Sequence, residues 1–264
     1  MPQPMYQQIA EDLRNQIDSG ALARGSQLPT ELELRARYNA SRNTIRDAVK
    51  RLTSQGLIET RPGQGTFVTV KVDPFVTVLT VDPSEVGVGE GATYLSQVNA
   101  EHRKARVTTP RVEVQSPPER IAKRLRVSAA TQVVSRHEQR YIDDVPWSLQ
   151  TSFYPMEFIT KGATRLIIAE DIEGGAVRYL AKTIELQQVG YRDWVTARNP
   201  DGNEQAFFRI AHDASVFENF RTAFDQYGKP MRVTVTVFPT DRNQFIVNVG
   251  DVPGPQYVED PELA

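Results

Sequence analysis

A chain of 264 residues with 39% hydrophobic side chains is long enough for two ordinary domains, each with a real core. The absence of cysteine removes disulfides, thiolate zinc sites and thiol catalysis. No apolar run reaches membrane-spanning length and no cationic, then hydrophobic, leader opens the chain, so a cytoplasmic location and no membrane partner are expected. The net charge of −2 divides unevenly: residues 1–72 hold ten Lys/Arg against seven Asp/Glu, which places a cationic surplus at the smaller end.

In chain order, Tyr6, Ile9, Ala10, Leu13 and Ile17 predict a first helix ended by Gly20. After a turn over Ala23 to Pro29, Thr30 caps a second helix and Glu33 completes a Thr-x-x-Glu capping box. That helix runs to about Tyr38, a short Asn39-Ala40 turn follows, and a third helix begins at Ser41, which is helix-turn-helix spacing. The third helix, SRNTIRDAVKRL, has two incompatible faces. Ile45, Ala48, Val49 and Leu52 recur at the period of a buried stripe. Arg42, Asn43, Arg46, Lys50 and Thr53 lie opposite, with cations and amides but no acid at those five positions, as a surface meeting phosphates and base edges requires. Ser41 as N-cap leaves the first turn's backbone N–H groups, with Arg42, Asn43 and Thr44, pointing outward. A solvated amphipathic helix would share this pattern, so the flanks matter. Gly56 breaks the helix, Leu57 to Thr60 predicts a strand, Pro62-Gly63-Gln64-Gly65 a turn and Thr66-Phe67-Val68 a returning strand. The expectation is a winged helix.

The segment QLPTELELRARYNASRNTIRDAVKRLTSQGLIETRPGQGTFV resembles the DNA-binding domain of the GntR family of bacterial transcription regulators. Leu28-Pro29, Ser41-Arg42-x-Thr44-x-Arg46, Leu52, Gly56-Leu57-Ile58 and Gly63-x-Gly65-Thr66-Phe67-Val68 stand in family order. The resemblance implies a homodimer whose recognition helices read half-sites of a palindromic double-stranded DNA operator. One departure is Leu32, where the family usually has an arginine that reaches the operator; Arg35 and Arg37, one turn on, offer compensating phosphate contacts. Arg42 and Arg46 suit a guanine's paired acceptors, with Asn43 and Thr44 at adjacent bases and Lys50 on the backbone. Gly63 and Gly65 allow close approach of the wing tip, where Gln64 can hydrogen-bond beside Thr66.

Lys71 to Pro74 reads as a junction, giving a DNA-binding domain over 1–72 and a second domain over 73–264. Asp82 to Gly91 reads as a surface loop. Beyond it, Val133 to Pro155 and Phe217 to Pro239 superpose at an offset of 84 residues without a gap, each as strand, turn, strand. Candidate helices precede them around Pro118 to Leu125 and Glu204 to Ile210. Alternation places Trp147, Leu149 and Phe153, with Met231, Val233, Val235 and Val237, on a buried face. Ser148, Gln150, Ser152, Arg232, Thr234 and Thr236 fall on a polar face towards solvent or a pocket. The fold class expected is α+β, a winged helix-turn-helix followed by a mixed α/β domain with an antiparallel sheet.

Arg140-Tyr141-x-Asp143-Asp144-x-Pro146, Ser152-x-Tyr154-Pro155, Gly174-Gly175, Gly228-x-Pro230 and Asp241-x-x-x-Phe245 resemble the UTRA effector domain of the HutC branch of the same family. The resemblance implies a chorismate lyase-like fold and a small-molecule effector. Relatives that sense phosphorylated sugars use an Arg-x-Arg pair, a serine after the paired glycines, and a late Glu and Tyr. This chain has Glu138-x-Arg140, Ala176, Arg232 and Phe238, so the phosphosugar ligand does not carry over. The effector-site candidates are Arg136, Glu138, Arg140, Ser152, Arg178 and Arg232. His102, His137 and His212 share no helical spacing, which argues against the all-helical, metal-holding branch, and the aminotransferase-like branch needs a longer chain. No metal and no cofactor is expected. Three functions remain in view: a DNA-binding repressor modulated by an anionic effector, a repressor without a ligand, and an enzyme acting on an anionic molecule. The last lacks any nucleophile, base and orienter set.

Overall fold

In the computed structural model the described residues are 4–23, 25–61, 63–69, 74–79, 90–100 and 102–249. The expected junction at Lys71 to Asp73 and most of the expected loop, residues 82–89, lie outside them. Chain contacts divide the protein into two compact units, Met1–Asp73 and Pro74–Ala264.

The first unit packs three helices and a hairpin around one core. Helix α1 (Met5–Asp18) buries Ile9, Ala10, Leu13 and Ile17 against Ile45, Ala48 and Leu52 of α3 (Arg42–Ser54). Val49 is only partly buried, so the buried stripe of α3 is narrower than its periodicity suggests. Helix α2 (Glu31–Tyr38) starts at the expected capping box: the Thr30 hydroxyl accepts from the Glu33 amide, and the Glu33 carboxylate accepts from the Thr30 amide. Thr30's donors hold that carboxyl below its ordinary range. Asn39, at φ 47, makes the left-handed turn into α3. Strands β1 (Ile58–Arg61) and β2 (Gly65–Val68) form the antiparallel wing, one residue later at the start of β1 than the pattern suggests. Within the expected 23–29 turn, Gln27 bridges to Phe67 of β2.

The second unit is built on a seven-stranded sheet with spatial order β4-β6-β7-β10-β9-β8, with β5 also paired to β6 and every pairing antiparallel. The strands are β4 (Ala105–Val107), β5 (Arg111–Gln115), β6 (Val133–Ile142), β7 (Val145–Pro155), β8 (Gln188–Arg198), β9 (Val216–Asp225) and β10 (Pro230–Pro239). A separate parallel pair joins β3 (Phe75–Val78) to β11 (Asn243–Ile246). Helices α5 (Glu119–Leu125) and α8 (Gly202–Phe208) cover one face of the sheet, and α6 (Glu157–Thr160) and α7 (Gly175–Ile184) pack on the other. Helix α4 (Glu90–Ala100) corrects the loop expectation at its C-terminal end, since Gly91 lies inside the helix.

The internal repeat is structural: β6-β7 and β9-β10 are equivalent hairpins whose second strands meet at the centre of the sheet. There Thr151 faces Val235, its own repeat equivalent, so a pseudo-two-fold axis passes between them. Two expectations need correction. Thr151 and Val235 stand 84 residues apart, but their partners His137 and Phe220 stand 83 apart, so the repeats carry a one-residue gap. The gap lies in the turns. Asp143 and Asp144, both at positive φ, make a two-residue turn, whereas the second hairpin closes from Asp225 to Lys229 with Gly228 at φ 73.

Each hairpin also carries a bulge at the matched position, leaving Trp147 and Met231 without cross-strand partners. Both therefore leave the stripe that strict alternation assigns them. Met231 packs with Tyr154 and Leu180, and Trp147 meets Phe75 edge-on, while Phe153, Val233 and Val237 stay in the clusters under α5 and α8. The polar face is also covered: Ser148, Gln150, Ser152, Thr234 and Thr236 are all buried.

Candidate nucleic-acid interface and ligand cavity

In the first unit, α2, the outer face of α3 and the base of the wing form a groove of about 1020 Å³ that Asn43, Arg46, Lys50, Thr53, Gly65 and Thr66 help to line. Asn43, Arg46 and Lys50 are exposed and have no side-chain partner among the described residues, which suits donors that must meet an incoming duplex. Arg42 differs. Its Nε donates to Glu31 Oε1 at 2.8 Å, so the acid that α3 lacks at those five positions arrives from α2. Ser41 is engaged locally: its oxygen accepts from the Thr44 amide at 3.2 Å and lies 2.7 Å from the Thr44 hydroxyl, which fixes the first turn of α3. Arg35 is exposed in the last turn of α2 but does not line the groove.

At the wing, Gly63 takes φ +73 and Gln64 is exposed at the tip. Gly65 has a second use. A Cβ there would stand 2.4 Å from Gln27 Nε2, and that amide donates to the Gln64 carbonyl at 3.0 Å. The glycine thus admits a strap between the wing tip and the body. Gln27 and Glu31 escaped sequence reading because each acts through a partner 37 and 11 residues away.

In the second unit the polar face of β6, β7 and β10 floors a cavity of about 330 Å³, roofed by α4 and the start of α7. Five of the six candidates, Arg136, Glu138, Arg140, Ser152 and Arg232, line it together. Arg178 does not: it is exposed on α7 and outside the lining, whereas Val177 beside it is the residue that turns inward. A residue next to the inward position of a helix points about 100° away from it.

The five are not equivalent. Arg136 is buried and its guanidinium donates to backbone carbonyls of Leu166 (2.9 Å), Ile168 (2.8 Å), Arg165 (3.4 Å) and Glu170 (2.6 Å), so it pins the segment before α7 and has little left for a ligand. Arg232 Nη2 donates to Gln188 at 3.0 Å, and the Ser152 hydroxyl lies 3.1 Å from that of Thr234. Arg140 is 4% exposed, yet its Nε and Nη2 have no hydrogen-bond partner among the described residues. Its nearest charge is Glu138 at 3.7 Å, and its guanidinium sits 5.0 Å over the ring of Tyr94 from α4. Burial pushes the Tyr94 phenol up to about 12 against the opposing pull of Arg140, so it stays protonated and donates to the Tyr141 carbonyl at 2.9 Å. Tyr94 and Gln188 were not legible as site neighbours, since nothing local ties either to β6 or β10.

His137 lies on the opposite face, 2.9 Å from the Thr151 hydroxyl, and burial lowers its pKa, which keeps it neutral near pH 7. Among the described residues no three His, Asp or Glu converge as a metal site, and no helix is long and apolar enough to cross a membrane.

Comparison with known proteins agrees with this geometry. Residues 5–68 match the family model "Bacterial regulatory proteins, gntR family", and residues 100–244 match the UTRA domain. The transcriptional regulator GgaR of Escherichia coli K12 is 25% identical over 92% of this chain and 90% of its own length. The mannosyl-D-glycerate system repressor MngR of the same strain is 43% identical over 65 residues, 25% of this chain and 27% of its own. The crystal structure of PhnF from Mycobacterium smegmatis shares the fold, with a TM-score of 0.55 at 18% identity, covering 92% of this chain and all of that one. The match of the winged helix to the gntR model, followed by a UTRA match that spans more than half the chain, shows that the protein belongs to the GntR family and is a transcriptional regulator.

Proposed function

We propose that the protein is a homodimeric repressor that acts on cytoplasmic DNA and reads a palindromic operator with Asn43, Arg46 and Lys50 and the wing. A small anion bound in the second unit's cavity shifts its operator affinity. The observation that carries the effector half is Arg140, a buried guanidinium with unfilled donors facing a cavity. The relative named a repressor, similar over the winged helix, supports the direction of control. A dimer is favoured because one small module makes few phosphate contacts, and two half-sites held together multiply through effective concentration. An anion can move the operator equilibrium only through a difference in affinity between two states of the dimer.

The test is selection of bound duplexes by the full chain from a random pool, followed by release assays with anionic metabolites. Enriched inverted repeats bound by two chains, released by at least one anion, are expected. Asymmetric single sites would overturn the dimeric reading, and an operator grip that no anion alters would leave a repressor without a ligand.

A further inference from the structure

We infer that the effector is a small monocarboxylate whose carboxylate seats on the side-on edge of Arg140. This rests on the reading of the cavity as an effector site and names the ligand's class. The two unfilled donors of Arg140, Nε and Nη2, lie on one edge of the guanidinium and point the same way. The protein uses that same edge on carboxylates elsewhere. Arg221 holds Asp193 through Nε and Nη2 at 2.8 and 2.6 Å, and Arg242 holds Asp241 through the same atoms at 2.9 and 2.7 Å. At Arg140 the edge is buried and vacant among the described residues, with Glu138 too far at 3.7 Å to hydrogen-bond. Directly across the strand pair stands Ser148, 1% exposed, whose hydroxyl is also without a partner among the described residues.

Charge selects between carboxylate and phosphate. Three arginines and two carboxylates, Glu138 and Asp171, line the cavity, leaving one uncompensated positive charge. A monocarboxylate neutralises it. A phosphate monoester, with a charge of about −1.5 to −2 at pH 7, brings surplus negative charge against Glu138. The far wall is the uncapped start of α7, whose backbone N–H groups favour an anion of either class, but with Ala176 at its first turn it adds no side-chain donor that would single out a phosphate. Beside the polar Gln150 and Ser152, the lining includes Leu95, Val107, Ile172 and Val177, so the body behind the carboxylate meets a largely apolar wall.

Isothermal titration of the full chain with butyrate, hexanoate, octanoate and benzoate, with the primary amides of these acids, and with inorganic phosphate and glucose 6-phosphate separates the alternatives. At least one acid is expected to bind saturably and its amide not at all. Arg140→Gln should weaken that acid at least tenfold while melting no lower than wild type, because it removes buried donors that nothing fills. Glu138→Gln should admit glucose 6-phosphate more tightly than wild type does. Equal binding of the acid by wild type and a folded Arg140→Gln variant would overturn the assignment to Arg140. Binding of glucose 6-phosphate but of none of the acids would overturn the class while leaving the effector site standing. No binding by any of the acids, in a protein whose operator is released by an anion that is not a monocarboxylate, would also overturn the class, and if no anion releases the operator the effector reading falls with it.

Discussion

The cationic side chains of the two units live in opposite environments. In the winged helix Arg46 and Lys50 are exposed with no side-chain partner among the described residues, and Arg42 is exposed and paired with Glu31. In the UTRA domain Arg136, Arg140 and Arg232 are 3–5% exposed, and each must find its partner inside. Arg136 finds four carbonyls, Arg232 a glutamine, and Arg140, among the described residues, a distant carboxylate and a ring face. An exposed cation is cheap to leave open because water solvates it, whereas a buried one is structural or incomplete. The same residue type therefore signals recognition in both units for different reasons: by availability in the first and by an unfilled fork in the second.

The largest effect expected from this contrast is at Arg136. Arg136→Met should destabilise the second unit by about 3–5 kcal/mol, since it strands several buried carbonyls of the segment before α7. Both tryptophans, Trp147 and Trp194, lie in that unit, so urea unfolding followed by tryptophan fluorescence reports on it alone. A change under about 1 kcal/mol would break the distinction between a structural and a receptive arginine, because surface substitutions already cost that little.

Next come Arg46 and Lys50. Arg46→Ala should cost about 1–3 kcal/mol and relax preference at one base pair per half-site, while Lys50→Ala should weaken all duplexes alike and lower the salt slope by about one. Titrations of operator and scrambled DNA at several salt concentrations check both. Identical, sequence-independent losses would reduce Arg46 to a phosphate clamp.

The smallest effect is expected at Glu31. Its pairing with Arg42 is exposed and contributes little stability, on the order of 0–1 kcal/mol. Its role is orientation, and its charge opposes phosphate. Glu31→Ala should tighten binding to scrambled DNA while reducing the operator's advantage a few-fold, as measured by competition. An unchanged ratio would mean that Arg42 needs no holding.

Most of the first unit was legible in the sequence because its determinants are local. The capping box at Thr30, the turn at Asn39, the N-cap at Ser41 and the 3.6-residue stripe of α3 each act within a few residues. The hairpin repeat was legible for the same reason, through period-two alternation and matched prolines. The local signal failed where the outcome depended on what lies across the sheet or beyond the turn. A bulge moved Trp147 and Met231 off their assigned face, and a one-residue difference between turns shifted the first strands by 83 residues rather than 84. Helix α4 was not read from the sequence; it brings Gly91 and Leu95 to the cavity and the ring of Tyr94 to the guanidinium of Arg140.

By itself, then, the sequence determined the family, the winged helix, the repeat and five residues of the cavity lining, because residue type and strand parity select a face before any packing is known. Only the tertiary structure decided what each of those residues has left to offer. The Glu170 carbonyl on Arg136 and the Gln188 amide on Arg232 come from 34 and 44 residues away, and no spacing on one strand reveals whether such partners arrive. Arg136 and Arg140 stand four residues apart on the same face of the same strand, and the carbonyls before α7 reach one and not the other.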